Sequence, residues 1–167
     1  MRVADSATVP PLPAWAASVL RDVAASCHAA RVPFLHRGRG MTGLDCLGLV
    51  LFLHDRIGVR YELPPQTAHY SAHYFRQGGD ALYLRGILDL CQITTRPAVG
   101  DLVMFLAPGS AVNVGHAGVV TDPARAEFTH AFSSRGVRPA RWTLPLWHPR
   151  LYGFARPRAF AAVPRNR

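Results

Sequence analysis

Periodicity changes once along this chain, and that change limits the folds open to it. From Pro13 to Ala30 apolar residues recur every four positions, at Trp15, Val19, Val23 and Cys27, which is the spacing of one helix face. Proline suits the first turn of such a helix, and Pro33 requires the helix to end before it. A loop rich in Gly and Arg follows, from His36 to Gly43. Asp45 is then placed to cap a second helix running from Cys46 to about Ile57 and closed by Gly58. Leu47, Leu49, Val50, Leu51, Phe52 and Leu53 make this helix apolar on nearly every side, as a buried central helix must be. Residues 59–79, rich in Pro, His and Tyr, read as irregular, and Asp80 is placed to cap a short helix through Leu90. Strand patterns bounded by Pro or Gly come next, at Asp101–Leu106, His116–Thr121, Glu127–Phe132 and Leu151–Arg156. Helices first and strands after predict an α+β fold, with N-terminal helices and a central buried helix packed on an antiparallel sheet.

Length and composition narrow the class further. A chain of 167 residues suits one domain with a proper core, and 49% apolar residues without a repeat or low-complexity tract mark it as globular. Its longest apolar stretches, such as Leu47–Leu53, fall far short of the roughly 20 residues that span a bilayer. Arg21 and Asp22 interrupt the place where a secretory h-region would lie, so the N-terminus reads as mature structure. Three cysteines, Cys27, Cys46 and Cys91, suit neither a disulfide framework nor a zinc knuckle. The formal net charge is +9 and every basic residue is Arg. Residues 1–134 hold 11 Arg and all 10 acids, whereas 135–167 hold 8 Arg and no acid. That asymmetry fits a polyanionic partner or a neighbouring acidic protein surface, and equally a solvated face. Without a stacking motif it does not indicate a nucleic-acid module. His69 and His73 lie four apart but lack helical pattern and carboxylates, so no metal site is expected there.

The most informative stretch is Gly43-Leu44-Asp45-Cys46-Leu47-Gly48-Leu49-Val50. It sets a Cys in the first turn of a buried helix, where unpaired N–H groups and the helix dipole favour a thiolate. The same N–H groups can hold the oxyanion of an acyl-transfer intermediate. Seventy residues later, Gly115-His116-Ala117-Gly118 opens a strand with a His among small residues. A further strand carries His130 between Thr129 and Ala131. On neighbouring antiparallel strands His116 and His130 can share one face of the sheet. A helix Cys, a sheet His and a third polar group that orients the His make up the logic of a cysteine protease. Cys27 and Cys91 read as buried thiols, His28 and His54 as ordinary helix residues, and Asp101 as a turn former.

In ordered series these motifs resemble the NlpC family of papain-like cell-wall peptidases, especially its phage tail and prophage branch. Val32-Pro33-Phe34-Leu35-His36 is similar to the family's Thr-Pro-Tyr turn, Asp45–Val50 to its nucleophile motif, and Pro97-Ala98-Val99-Gly100-Asp101-Leu102 to its strand entry. His116-Ala117-Gly118-Val119, Thr129-His130-Ala131 and Leu151–Arg156 complete the series, which spans about residues 14–158. The resemblance implies Cys46 as nucleophile, His116 as general base and His130 as the group orienting it. It also implies that Asp45 and Phe34 contribute to substrate binding, Asp45 having its cap role as the alternative. Phe34 and Leu47 stand where the family often has Tyr and Ser. The implied domain plan is an N-terminal arm at 1–12, a peptidase domain at 13–158 and a basic C-terminal tail at 159–167. The implied substrate is a peptidoglycan stem peptide, cut at the D-Glu to diamino-acid bond, without metal or organic cofactor. The implied location is the tail of a phage or phage-like particle, among tail-tip proteins, with action at the cell wall. An amidase of related fold and a structural tail-tip protein are the competing readings.

Overall fold

The computed structural model describes residues 8–62, 86 and 89–166. Two helices, α1 (Ala14–Ala29) and α2 (Cys46–Asp55), precede a sheet of six strands. Between the helices lies a small ribbon of β1 (Arg39–Gly40) and β2 (Gly43–Leu44). The large sheet comprises β3 (Cys91–Thr94), β4 (Leu102–Leu106), β5 (Val114–Asp122), β6 (Glu127–Phe132), β7 (Gly136–Arg141) and β8 (Leu151–Pro157). Its order is β3-β8-β4-β5-β6-β7, antiparallel throughout. This is the α+β arrangement that the change of periodicity predicts.

Each helix meets the sheet for a local reason. Ala16, Leu20, Ala24 and Cys27 are the buried line of α1, one position round from the Trp15–Val19–Val23 stripe, whose larger side chains pack at its flank. The alanines let the backbone come close to its neighbours. In α2 no residue before Asp55 is exposed, as its all-round apolar sequence requires. It packs over β5 and β6, while α1 contacts α2, β5 and β7. Strand alternation then separates two cores. Leu102, Met104, Val119, Ala131 and Val137 join the helices on one face. Val103, Phe105, Val120 and Phe128 join Trp142 and Trp147 on the other. Among the described residues no helix is long and apolar enough to cross a membrane.

Beyond the small ribbon, the structure adds two strands to the large sheet. Gly136–Arg141 pairs with β6 at the sheet edge, where Pro139 is tolerated, and its charged residues mask a strand pattern. Cys91–Thr94 is short and pairs with β8 at the opposite edge. The helix predicted at 80–90 and the irregular stretch at 59–79 lie largely outside the described residues, as do His69 and His73.

Both ends of the described chain are tied down. Val9 and Leu12 are buried, the Val9 N–H donates to Gln92 Oε1 at 2.8 Å, and the Val9 carbonyl accepts from Arg156 Nη1. At the other end Arg158–Ala162 forms a 3-10 turn that sinks Phe160 into the core, and Val163 is also buried. Arg165 donates to the Pro11 carbonyl and the Trp15 indole N–H to that of Pro164. Residues foreseen as an arm and a tail are thus packed on the domain from Val9 and through Val163. The Arg-rich end is also divided in space. Arg135, Arg138 and Arg141 lie at or beside edge strand β7, whereas Arg156 and Arg158 lie at β8, with β4, β5 and β6 between them.

His54 is a structural element in its own right. It is fully buried, its Nε2–H donates to the Gly100 carbonyl at 2.9 Å, and Nδ1 is left to accept from the Tyr61 hydroxyl. Burial pushes its pKa down to about 4, against the Gly100 hydrogen bond. The imidazole is neutral in the fold but titrates near 6.5 once unfolded, so the unfolded state binds more protons between those values. Its contribution to stability is complete above about pH 6.5 and is lost as pH falls toward 4. Thermal unfolding followed from about pH 8 to about pH 4 should show a plateau and then a decline. A His54→Phe variant should lose about 1–3 kcal/mol near neutral pH, from the two polar groups left unpaired, with a shallower acid decline.

Candidate active site

Cys46 is the first residue of α2 and is half-buried, which leaves its thiol partly accessible at the helix N-terminus. Asp45 caps the helix, its Oδ1 accepting from the Gly48 N–H at 2.7 Å. The same carboxylate gathers the Gly- and Arg-rich loop: Arg37 N–H donates to Oδ2 at 2.6 Å, and Arg39 Nη1 lies 3.2 Å from Oδ1. Only 2% of Asp45 is exposed, so in this state it organises the loop beside Cys46 and presents little surface. Gly48 is required by the same junction, because a Cβ there would come within 1.9 Å of the Gly38 carbonyl oxygen. Phe34 pairs with Leu44 in an isolated parallel bridge and is half-buried against the main core.

The two histidines meet on the sheet. Val119 pairs with Thr129 and Val120 with Phe128, so His116, Gly118, His130 and Phe132 share the face of Phe128. His116 Nε2 lies 3.0 Å from His130 Nδ1, the rings nearly perpendicular at 89°. Gly118, two residues along β5 from His116, is hemmed by Phe128, whose ring carbon would lie 2.5 Å from an added Cβ. Trp147 closes the pocket: it stacks on His116 at 5.3 Å and meets His130 edge-on at 4.8 Å. Phe105, Phe128 and Phe132 complete the wall. The helix core occupies the other face, so the body of α2 belongs to the helix side and the pair to the aromatic side of β5 and β6.

This enclosure sets the protonation states. Burial first, then His130 and Arg150, hold His116 well below the usual imidazole range. Burial, then Arg138, pushes His130 down to about 4. Both rings are therefore neutral near pH 7, and one hydrogen bond between His116 Nε2 and His130 Nδ1 joins them. When His130 Nδ1 accepts, His116 carries its proton on Nε2 and its Nδ1 is a free base. The other thiols are subdued. Burial raises Cys27, opposed by Arg56, and pushes Cys91 up to about 12 with help from Asp101, against Arg158. Among the described residues no three His, Cys, Asp or Glu side chains gather as ligands for a metal.

Solved structures with the same architecture are known. An NLP/P60 family protein of Staphylococcus aureus, described as similar to a lipoprotein, superposes with a TM-score of 0.64 at 21% identity, over 90% of this chain and 44% of its own. An NlpC/P60 family protein of Bacillus cereus gives 0.59 at 17% identity, over 92% and 42%. The fold is that of the NlpC/P60 proteins. NlpC2 of Trichomonas vaginalis superposes at 0.53 with 16% identity, over 82% and 46% of the two chains. The chain thus spans less than half the length of each of these proteins. No protein-family model and no curated protein matches it in sequence.

On this NlpC/P60 fold, two features of the site and one of the frame around it escape a reading of the sequence. Trp147 lies far beyond His116 in the chain, in a turn with no strand or helix pattern to announce it. Gly48 looks like a weak point in a helix until the loop carbonyl above it is seen. Asp101 is a turn former, its Oδ2 accepting from Ala98 N–H, but it is also one half of a buried ion pair with Arg156.

Proposed function

We propose that this protein is a cysteine peptidase that hydrolyses peptide bonds of bacterial peptidoglycan, with Cys46 as nucleophile, His116 as general base and His130 as the group that orients it. The observation that carries this reading is the 3.0 Å bond between His116 Nε2 and His130 Nδ1, on strands over which the helix headed by Cys46 is packed. With Nε2 held by His130, Nδ1 of His116 is the nitrogen available to the thiol. The reading requires the thiol at the head of α2 to reach that nitrogen near the opening of β5. The Cys46 proton passes to it, and the thiolate adds to the scissile carbonyl. Collapse of the tetrahedral intermediate breaks the C–N bond, and the leaving amine takes the proton from His116. Water then attacks the thioester, gives its proton to His116, and releases the acid and the thiol. First-turn N–H groups of α2 are placed to stabilise the oxyanion. Support for the chemistry comes from the motif series and from the NlpC/P60 fold. The stem peptide, its D-Glu to diamino-acid bond, the role of Phe34 and Asp45 in binding it, and a place in a phage-like tail rest on the sequence resemblance.

Defined muropeptides incubated with the protein and analysed by mass spectrometry test the reading. Stem peptides cut after the D-Glu residue are expected. Release of an intact peptide from the sugar would instead indicate an amidase, and no product would overturn the enzymatic reading. The orienting role has its own test. His130→Leu removes the acceptor for the His116 Nε2–H and should lower kcat by roughly 10²-fold or more. His130→Gln keeps an acceptor oxygen and should recover much of that loss, with KM little changed in both. Equal losses in the two variants would show that the ring is needed for packing alone.

A further inference from the structure

Arg150 stands beside the histidine pair. It follows Trp147 by three residues in the 3-10 turn His148–Arg150, where positions i and i+3 lie over one another. Its guanidinium carbon is 5.6 Å from the centroid of the Trp147 ring, the ring that stacks on His116. Its Nε–H donates to the Leu106 carbonyl at 2.8 Å, next along β4 from Phe105, the cross-strand partner of His116. The guanidinium is therefore locked in orientation at the rim of the site, at the sheet end where β5 begins.

Among the described residues, that cation is supported on one side only. Among the described residues it pairs with no carboxylate, and its two terminal NH2 groups have no acceptor. The contrast with Arg156 is instructive. Arg156 is buried for structure, and the fold supplies it with two oxygens of Asp101 and two backbone carbonyls. Arg150 is half-buried with one carbonyl and an indole face. Its charge also weighs on the site, because a nearby cation disfavours the imidazolium that His116 must become during acyl transfer. An anion placed against Arg150 would lift that penalty at the moment of reaction.

We propose that Arg150 is a specificity-determining residue, whose terminal NH2 groups bind a free carboxylate of the substrate next to the bond being cut. This rests on the peptidase reading of Cys46, His116 and His130. The ligand class is an acidic peptide. A glutamyl residue linked through its side chain fits, since it keeps its α-carboxylate free. The guanidinium fork matches a carboxylate in bidentate geometry, which an ammonium does not.

Two stem peptides, identical except that the glutamyl α-carboxylate of one is a carboxamide in the other, test this on the full chain. Wild type should show a kcat/KM for the acid roughly 10- to 100-fold above that for the amide, the range of a charge-assisted hydrogen bond. Arg150→Gln should bring that ratio to about one, and Arg150→Lys should leave an intermediate ratio. Unfolding midpoints of both variants within a few degrees of wild type separate specificity from folding. Equal cleavage of both peptides by wild type, or an equal loss on both in Arg150→Gln, overturns the proposal. If wild type cuts neither peptide, the peptidase reading fails, and calorimetry then decides Arg150 separately. Tighter binding of the acid that Arg150→Gln abolishes would support it, and no preference, or no binding of either peptide, would overturn it.

Discussion

A Cys46→Ala variant should fold normally and lose peptide hydrolysis by roughly 10⁴-fold or more, the scale on which removing a nucleophile acts. The fold should survive because Cys46 is half-buried in the first turn of α2, where alanine is well tolerated. Cys27→Ala and Cys91→Ala should do the reverse. Both thiols are buried in the main core, so each loss costs about 1 kcal/mol or more in packing while hydrolysis persists. Alkylation should rank the three in the same order. Cys46 should react first with iodoacetamide near neutral pH, because it is accessible and sits at a helix N-terminus. Cys91, pushed up to about 12 by burial, should react only after unfolding. Wild-type turnover by Cys46→Ala would remove the proposed mechanism altogether.

The second large effect is on stability. Asp101 and Arg156 meet through two hydrogen bonds, Nε to Oδ1 at 2.9 Å and Nη2 to Oδ2 at 2.8 Å, with Asp101 fully buried. The same guanidinium reaches the carbonyls of Val9 and Arg96, and Asp101 holds the Ala98 N–H, so one pair ties the N-terminal strap, the turn before β4 and strand β8. Arg156→Ala leaves a buried carboxylate without its cation and should cost about 3–5 kcal/mol. At about 2–4 °C per kcal/mol for a chain of this size, the midpoint should fall by roughly 6–20 °C. Asp101→Ala should cost a similar amount. The double variant Asp101→Leu with Arg156→Met should be more stable than the sum of the single losses predicts, because it leaves no lone charge behind. Strict additivity in that cycle would mean the two groups do not act as a pair. Peptide hydrolysis should survive in the folded fraction of each variant, since neither residue touches the histidine pair.

Most of the architecture is legible in the chain itself. Helical spacing with Pro33 beyond it delimits α1, and Asp45 with Gly58 delimits α2, because capping and chain-breaking act within a few residues. Four of the six strands of the large sheet show through alternation between Pro and Gly punctuation. The two that do not are edge strands, where one face or one edge is free of the core and selection for apolar alternation is weak. In the site, Cys46, His116 and His130 stand out because each occupies a defined place in an element: the first turn of a helix, the opening of a strand, the middle of the next. Whether His116 and His130 share a face is a matter of register, and alternation within each strand leaves two answers until the pairing of Val119 with Thr129 selects one.

Sequence by itself determined both helices, four strands of the large sheet, their order and the places of Cys46, His116 and His130 within them, since each follows from spacing, caps and side-chain type. Tertiary structure alone decided what surrounds them. Trp147 over the histidine pair, Arg150 at its rim, the Gly38 carbonyl against Gly48, Arg156 on Asp101, and the packing of residues 9–12 against 158–163 all join segments that local patterning does not pair. Nothing local encodes such contacts. They arise only when the sheet order has brought β8 beside β4 and set β7 at the far edge, and that order is chosen by the burial of the whole core.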